Sequence, residues 1–192
     1  MKILTHTSIG LFAGVILYYF LDLDIGFILL AGFAAFIPDI DWRMQFSWKM
    51  GNVHRKALHN IWVLAVLIIL VYFVFKNLLM VSAVALGFLT HLIADSFTVT
   101  GVYWLYPLGR QNEKFHMKGP LSMSTKKADK IEAFLQTIFF TCSGFIFFQK
   151  NMAIEIFSMQ GAITVIVLLI AGYSLFKTLG KVVERTIREA KL

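Results

Sequence analysis

Residues 77–97 read NLLMVSAVALGFLTHLIADSF, and no charged residue interrupts them before Asp95. At about 1.5 Å per residue a helix of this length rises roughly 30 Å, the thickness of a bilayer's hydrocarbon core. Near its end stand His91 and Asp95, spaced i, i+4, so that imidazole and carboxylate share one helix face. His91 then lies roughly 9 Å inside the end of the segment. Ionisable groups at such a depth are costly and are kept for a reason. Taken alone, the pair reads equally as two metal ligands or as a hydrogen-bonded His–Asp contact inside a helix bundle.

The rest of the chain has the same character. It holds 192 residues, is 58% hydrophobic and has a mean hydropathy of +0.74, too apolar for a soluble domain of this size. Six apolar segments can be drawn, at 3–21, 25–37, 57–75, 77–97, 131–148 and 153–176. Backbone groups in hydrocarbon must be satisfied within a segment, so each is expected to be a helix. The expected fold is an all-α integral membrane protein: a single domain, 1–192, formed by a bundle of about six transmembrane helices. The N-terminal run lacks a small-residue cleavage site and reads as a retained first helix rather than a signal peptide. The second segment is short, roughly 20 Å, and Pro38 stops it, so Asp39 and Asp41 are expected below the membrane surface.

Charge sets the sidedness. With six spans, the N-terminus, loops 38–56 and 98–130 and the C-terminus share one side. That side carries 16 of the 18 Lys and Arg residues, against Lys76 and Lys150 on the other. The basic side is expected to be cytoplasmic, in a plasma or inner membrane. The net charge of +7 is read as this bias plus contact with anionic headgroups, and no specific nucleic-acid partner is expected. The single Cys142 excludes a thiolate zinc site and an internal disulfide. Residues 177–192 read as a cytoplasmic amphipathic tail, with Lys177, Lys181, Arg185 and Arg188 at helical spacing, lying on anionic lipid or binding a partner helix. Oligomeric state is open.

All five histidines gather on the basic side, together with Asp39, Asp41 and Asp95. His6 lies one turn into the first segment. Asp39 and Asp41 flank Ile40, and could reach one centre from an irregular loop or serve as turn formers. His54 and His59 are five apart, which suits a loop histidine and a first-turn histidine converging from different directions. Each piece alone has a bland reading. Together, His6, Asp39, Asp41, His54, His59, His91 and Asp95 form a nitrogen–oxygen ligand set at one depth, which suits one or two divalent ions: zinc first, manganese or iron as alternatives. Arg55 fits a bidentate phosphate clamp, with Lys56, Arg110 and Lys114 as neighbouring cations for an anionic substrate. His116 reads as a surface residue. Loop 98–130 is long enough to cover a site.

The ordered set Thr5-His6, Pro38-Asp39-Ile40-Asp41, His54-Arg55 with His59, and His91-Leu92 with Asp95, Thr98, Gly101-Val102 and Pro107 resembles the YdjM-like membrane-bound hydrolases over residues 5–107. The chain departs from that pattern at Lys56, where glycine is expected, and at Asn60, where serine is expected. The resemblance implies an inner-membrane, metal-dependent hydrolase. The ligand order is also similar, more weakly, to the zinc-dependent phospholipase C and single-strand nuclease group. That group's later His-x-x-x-Glu pair has no match here, which implies two metal positions rather than three.

The function expected from these residues is hydrolysis of a phosphoester, such as a phospholipid headgroup, by metal-activated water, with Asp39 or Asp41, whichever is not a ligand, as general base. Membrane lipids are the expected partners. A divalent-cation transporter or metal sensor using the same ligands is the alternative.

Overall fold

The computed structural model describes residues 2–40, 58–107, 116–122, 126–152 and 158–189. Among them are six α-helices: α1 Ile3–Leu21, α2 Ile25–Ala34, α3 Ile61–Phe75, α4 Leu78–Ser96, α5 Lys126–Met152 and α6 Met159–Glu189. A 3-10 turn covers Ile37–Ile40, and two short strands, β1 Val102–Tyr103 and β2 His116–Met117, pair antiparallel. The chain is an all-α membrane protein. Four stretches are long and apolar enough to cross a bilayer: Ile3–Leu21, Leu78–Ser96, Ala128–Met152 and Met159–Leu179. The apolar helices Ile25–Ile40 and Ile61–Phe75 are shorter.

The helix boundaries follow from capping chemistry. Asp24 Oδ1 accepts from Gly26 N–H at 2.7 Å and starts α2. Asn60 Oδ1 accepts from the N–H groups of Trp62 and Val63 at 3.1 and 3.0 Å and starts α3. Asn77 does the same for α4. Asn, Asp and Ser are close to equivalent as N-caps, so asparagine at position 60 starts the helix as well as serine would. Because Asn60 is the cap, α3 begins at Ile61, later than residue 57. His59 therefore stands just before the helix and not in its first turn.

α1 is central, packed on α2, α4 and α5, while α3 packs chiefly on α4 and α6 on α5. Glycine and alanine bring α1, α2 and α4 together. A Cβ at Gly10 would stand 2.5 Å from Ala35 Cβ and 2.8 Å from Ala31 O. At Gly87 it would run into the Ala31 carbonyl oxygen and stand 2.9 Å from Ala34 Cβ. Small residues that let backbones approach are how helices associate where no hydrophobic drive separates them from lipid.

α1 and α5 run parallel, tied at both ends. At one end Lys2 backbone N–H donates to Glu132 Oε1 at 2.8 Å and Lys2 Nζ pairs with Asp129 at 2.7 Å. One turn along, Gln136 Nε2 donates to Thr5 Oγ1 at 2.7 Å. At the other end Lys150 pairs with Asp22 at 2.8 Å, and its hydrogen bond and charge lower the Asp22 carboxyl below its ordinary pKa.

Among its described residues, the segment after α4 carries strand pairing. Val102 pairs with Met117, Tyr103 with His116, and Thr98 bridges Leu121. Val102 is fully buried with Leu64, Phe88 and Leu92. α5 already begins at Lys126, so the loop drawn to 130 ends earlier. α6 continues as one helix to Glu189 through most of the stretch read as a tail.

Candidate metal centre

Four elements deliver side chains to one point. His6 comes from the second turn of α1 and Asp39 from the 3-10 turn after α2. His59 precedes α3, and His91 and Asp95 lie in the last two turns of α4. α2 stops at Ala34, before Pro38, and the tight turn that follows carries Asp39 inward. The helical spacing of four does the same for His91 and Asp95.

His6, Asp39, His91 and Asp95 each offer one donor atom, all within 4.8 Å of one another. His6 Nε2 is 3.3 Å from Asp95 Oδ1. His59 Nε2 is 3.0 Å from His91 Nε2, 3.6 Å from Asp39 Oδ1 and 3.7 Å from Asp95 Oδ2. His91 Nε2 is 3.7 Å from both Asp39 Oδ1 and Asp95 Oδ2. Ligands at the usual zinc–nitrogen and zinc–oxygen distances, placed tetrahedrally, stand roughly 3.3 Å apart. The observed separations bracket that value. The imidazoles of His6 and His91 stack, with centroids 3.7 Å apart.

Burial is severe. His6, His59, His91 and Asp95 are fully enclosed, and the Asp39 side chain is 9% exposed, so Asp39 is the most open of the five. Neither ring nitrogen of His6 makes a hydrogen bond, and neither does Asp39 Oδ2. Buried polar atoms are nearly always paired, and an exception points to a group that the protein atoms alone do not supply.

His91 Nδ1 lies 2.7 Å from the carbonyl oxygen of Ala35. A carbonyl can only accept, so Nδ1 carries the proton and Nε2 turns its lone pair into the cluster. This is the arrangement that orients metal-binding histidines. The donor set, its spacing and the fixed tautomer all fit a divalent ion.

Residues 1–179 match the family model described as YdjM inner membrane protein. The chain belongs to that family. The YdjM match spans α1 through α5 and most of α6, and with them all five clustered side chains. No curated protein and no solved structure matches the chain.

Of the seven ligands read in the sequence, five converge. Asp41 and His54 lie outside the described residues, as do Arg55, Lys56, Arg110 and Lys114. His116 stands apart: its Nε2–H donates to Thr100 O at 2.8 Å and its ring stacks on Tyr103. The sequence reading missed the Ala35 carbonyl, which no side-chain pattern reveals. It also missed Glu132 and Gln136, both buried, although their i, i+4 spacing in an apolar stretch was a visible signal.

Proposed function

We propose that this YdjM-family protein is a membrane-bound, metal-dependent hydrolase that cleaves a phosphoester, with phospholipid headgroups as the substrate class. The observation that carries the reading is the buried cluster of three imidazoles and two carboxylates, with His91 locked in the ligating tautomer. His6, Asp39, His59, His91 and Asp95 would hold one or two ions, zinc first and manganese or iron next. Bound there, such an ion lowers the pKa of water and neutralises charge on phosphate oxygens.

The side chains supply the rest. Asp95 turns Oδ1 toward His6 and Oδ2 toward His59 and His91, so one carboxylate can serve both sides of the cluster. Asp39 Oδ2, unbonded and on the most open residue of the five, is placed to take the proton of the attacking water as the water oxygen bonds to phosphorus, and to return it to the leaving alkoxide oxygen as the ester P–O bond breaks. Arg55, Lys56, Arg110 and Lys114 are assigned the substrate's negative charge, and Asp41 and His54 complete the ligand set. Site depth favours a lipid: His91 lies roughly 7.5 Å before the end of α4, where a diffusing lipid presents its phosphate.

The test is Asp39→Asn. Turnover on a panel of phospholipids and soluble phosphodiesters should fall by about 10²–10⁴-fold, the usual share of a general base, with the melting temperature of the metal-stripped protein unchanged. Undiminished turnover would remove Asp39 from the chemistry. Transport is disfavoured by packing. Directly behind the site Gly10, Gly14 and Gly87 meet Ala31, Ala34 and Ala35 too closely for an ion path between α1, α2 and α4.

We also propose six spans with both termini cytoplasmic, supported by the charge partition and by the parallel course of α1 and α5. In a Cys142→Ser background, Asp22→Cys and Lys76→Cys should react with a membrane-impermeant maleimide added outside intact cells. Labelling of either only after lysis would overturn this topology.

A further inference from the structure

His91 and His6 are held differently. The ring of His91 is anchored by a hydrogen bond from Nδ1 to the Ala35 carbonyl, whereas His6 has no backbone anchor on its ring, which touches only other members of the cluster: Nε2 stands 3.3 Å from Asp95 Oδ1 and the ring stacks on His91. Outside the cluster itself, the position of His6 is set by where the first turn of α1 is held. Lys2, the N-cap residue, makes no side-chain capping bond to its own helix. Its backbone N–H is instead taken by Glu132 Oε1 at 2.8 Å, and its carbonyl accepts from Thr5 and His6 N–H at 2.9 and 3.3 Å. Thr5, fully buried beside His6, is gripped by Gln136 at 2.7 Å. Glu132 and Gln136 are 3% and 5% exposed. Glu132 Oε2 also faces the Lys2 ammonium at 3.9 Å, so both the backbone and the side chain of the N-cap residue are held from α5.

We propose that Glu132 and Gln136 are positioning residues: from α5 they clamp the first turn of α1 and so set His6 into the metal centre. This rests on the metal reading above. α5 gives no ligand among the described residues, yet it governs the geometry of one.

Cobalt(II) titration of the purified full chain in detergent, with a competing chelator, tests it. Glu132→Ala and Gln136→Ala should each raise the dissociation constant by about 10–100-fold, the usual effect of losing a group that orients a ligand. Glu132→Gln keeps an acceptor oxygen for the Lys2 N–H and should stay near the parent. In a His6→Ala background, Glu132→Ala should add no further loss. Thr5→Val removes only the hydroxyl that Gln136 grips, and it carries the test if Glu132→Ala does not fold. Parental affinity in Thr5→Val and Gln136→Ala, or an equal loss with and without His6, would overturn the clamp alone. A parent chain that takes up no cobalt would overturn the metal reading itself, and the clamp with it.

Discussion

Replacing Asp95 by alanine is expected to abolish metal-linked stabilisation. Asp95 is fully buried and approaches three of the clustered imidazoles, at 3.3, 3.7 and 3.7 Å. Any ion held by this set loses both carboxylate oxygens at once. At a free metal concentration about 1,000 times the dissociation constant, binding stabilises a folded chain by about 4.1 kcal/mol. The parent melting temperature should therefore rise clearly when zinc is added to metal-stripped protein. Asp95→Ala should show no rise at the same concentration, and Asp95→Asn at most a small one. Affinity should fall by more than the ~10–100-fold typical of groups outside the ligand shell. A zinc-dependent rise as large in Asp95→Ala as in the parent would show that the His91–Asp95 pair is structural.

The second large effect concerns Gly87. Its added Cβ would meet the Ala31 carbonyl oxygen, then Ala34 Cβ and the Ala35 backbone nitrogen, each at 2.9 Å. These groups cannot rotate away as a side-chain tip would, so α2 must move off α4. Overpacking in a tight core costs about 1–3 kcal/mol, and a backbone obstacle places Gly87→Val at or above the top of that range. The displacement also carries off the Ala35 carbonyl that anchors His91, and Asp39 a few residues on. Stability and metal affinity should fall together. Gly144→Ala is the comparison: its Cβ would meet only the Leu168 side-chain tip at 2.9 Å, between α5 and α6, away from the cluster. Thermal melts and metal titrations of both variants check this. An effect at Gly144 equal to that at Gly87 would refute the close-packed α2–α4 contact as the support of the site.

The sequence made legible whatever depends on local spacing. Apolar length marked the segments, and the interval of four placed His91 and Asp95 on one face. Pro38 flagged that α2 ends before Asp39. Features set by two distant segments were harder to read. Nothing near Ala35 announces that its carbonyl meets a ring 56 residues away. The two-residue strands at 102–103 and 116–117 are too short for any periodicity to show. The Gly10-x-x-x-Gly14 pattern on α1 was readable as a close helix contact, but its partners Ala31 and Ala35 are unremarkable residues in an apolar run. His59 was displaced from the first turn of α3 because Asn60, next to it, is the better cap.

The directions in which the four ligand-bearing helices run have an electrostatic consequence. α1 and α3 begin at the cluster, whereas α2 and α4 finish there. Each end carries roughly half an elementary charge of macrodipole, positive for the first pair and negative for the second, so the backbone contributions nearly cancel. The local potential is left to the ionised groups. With neutral imidazoles, Asp39 and Asp95 give the five described ligands a charge of about −2. One divalent ion brings that to zero. A second would make the pocket a net cation, so on the proposed reading the number of ions bound would decide whether a phosphate anion is drawn in or merely tolerated.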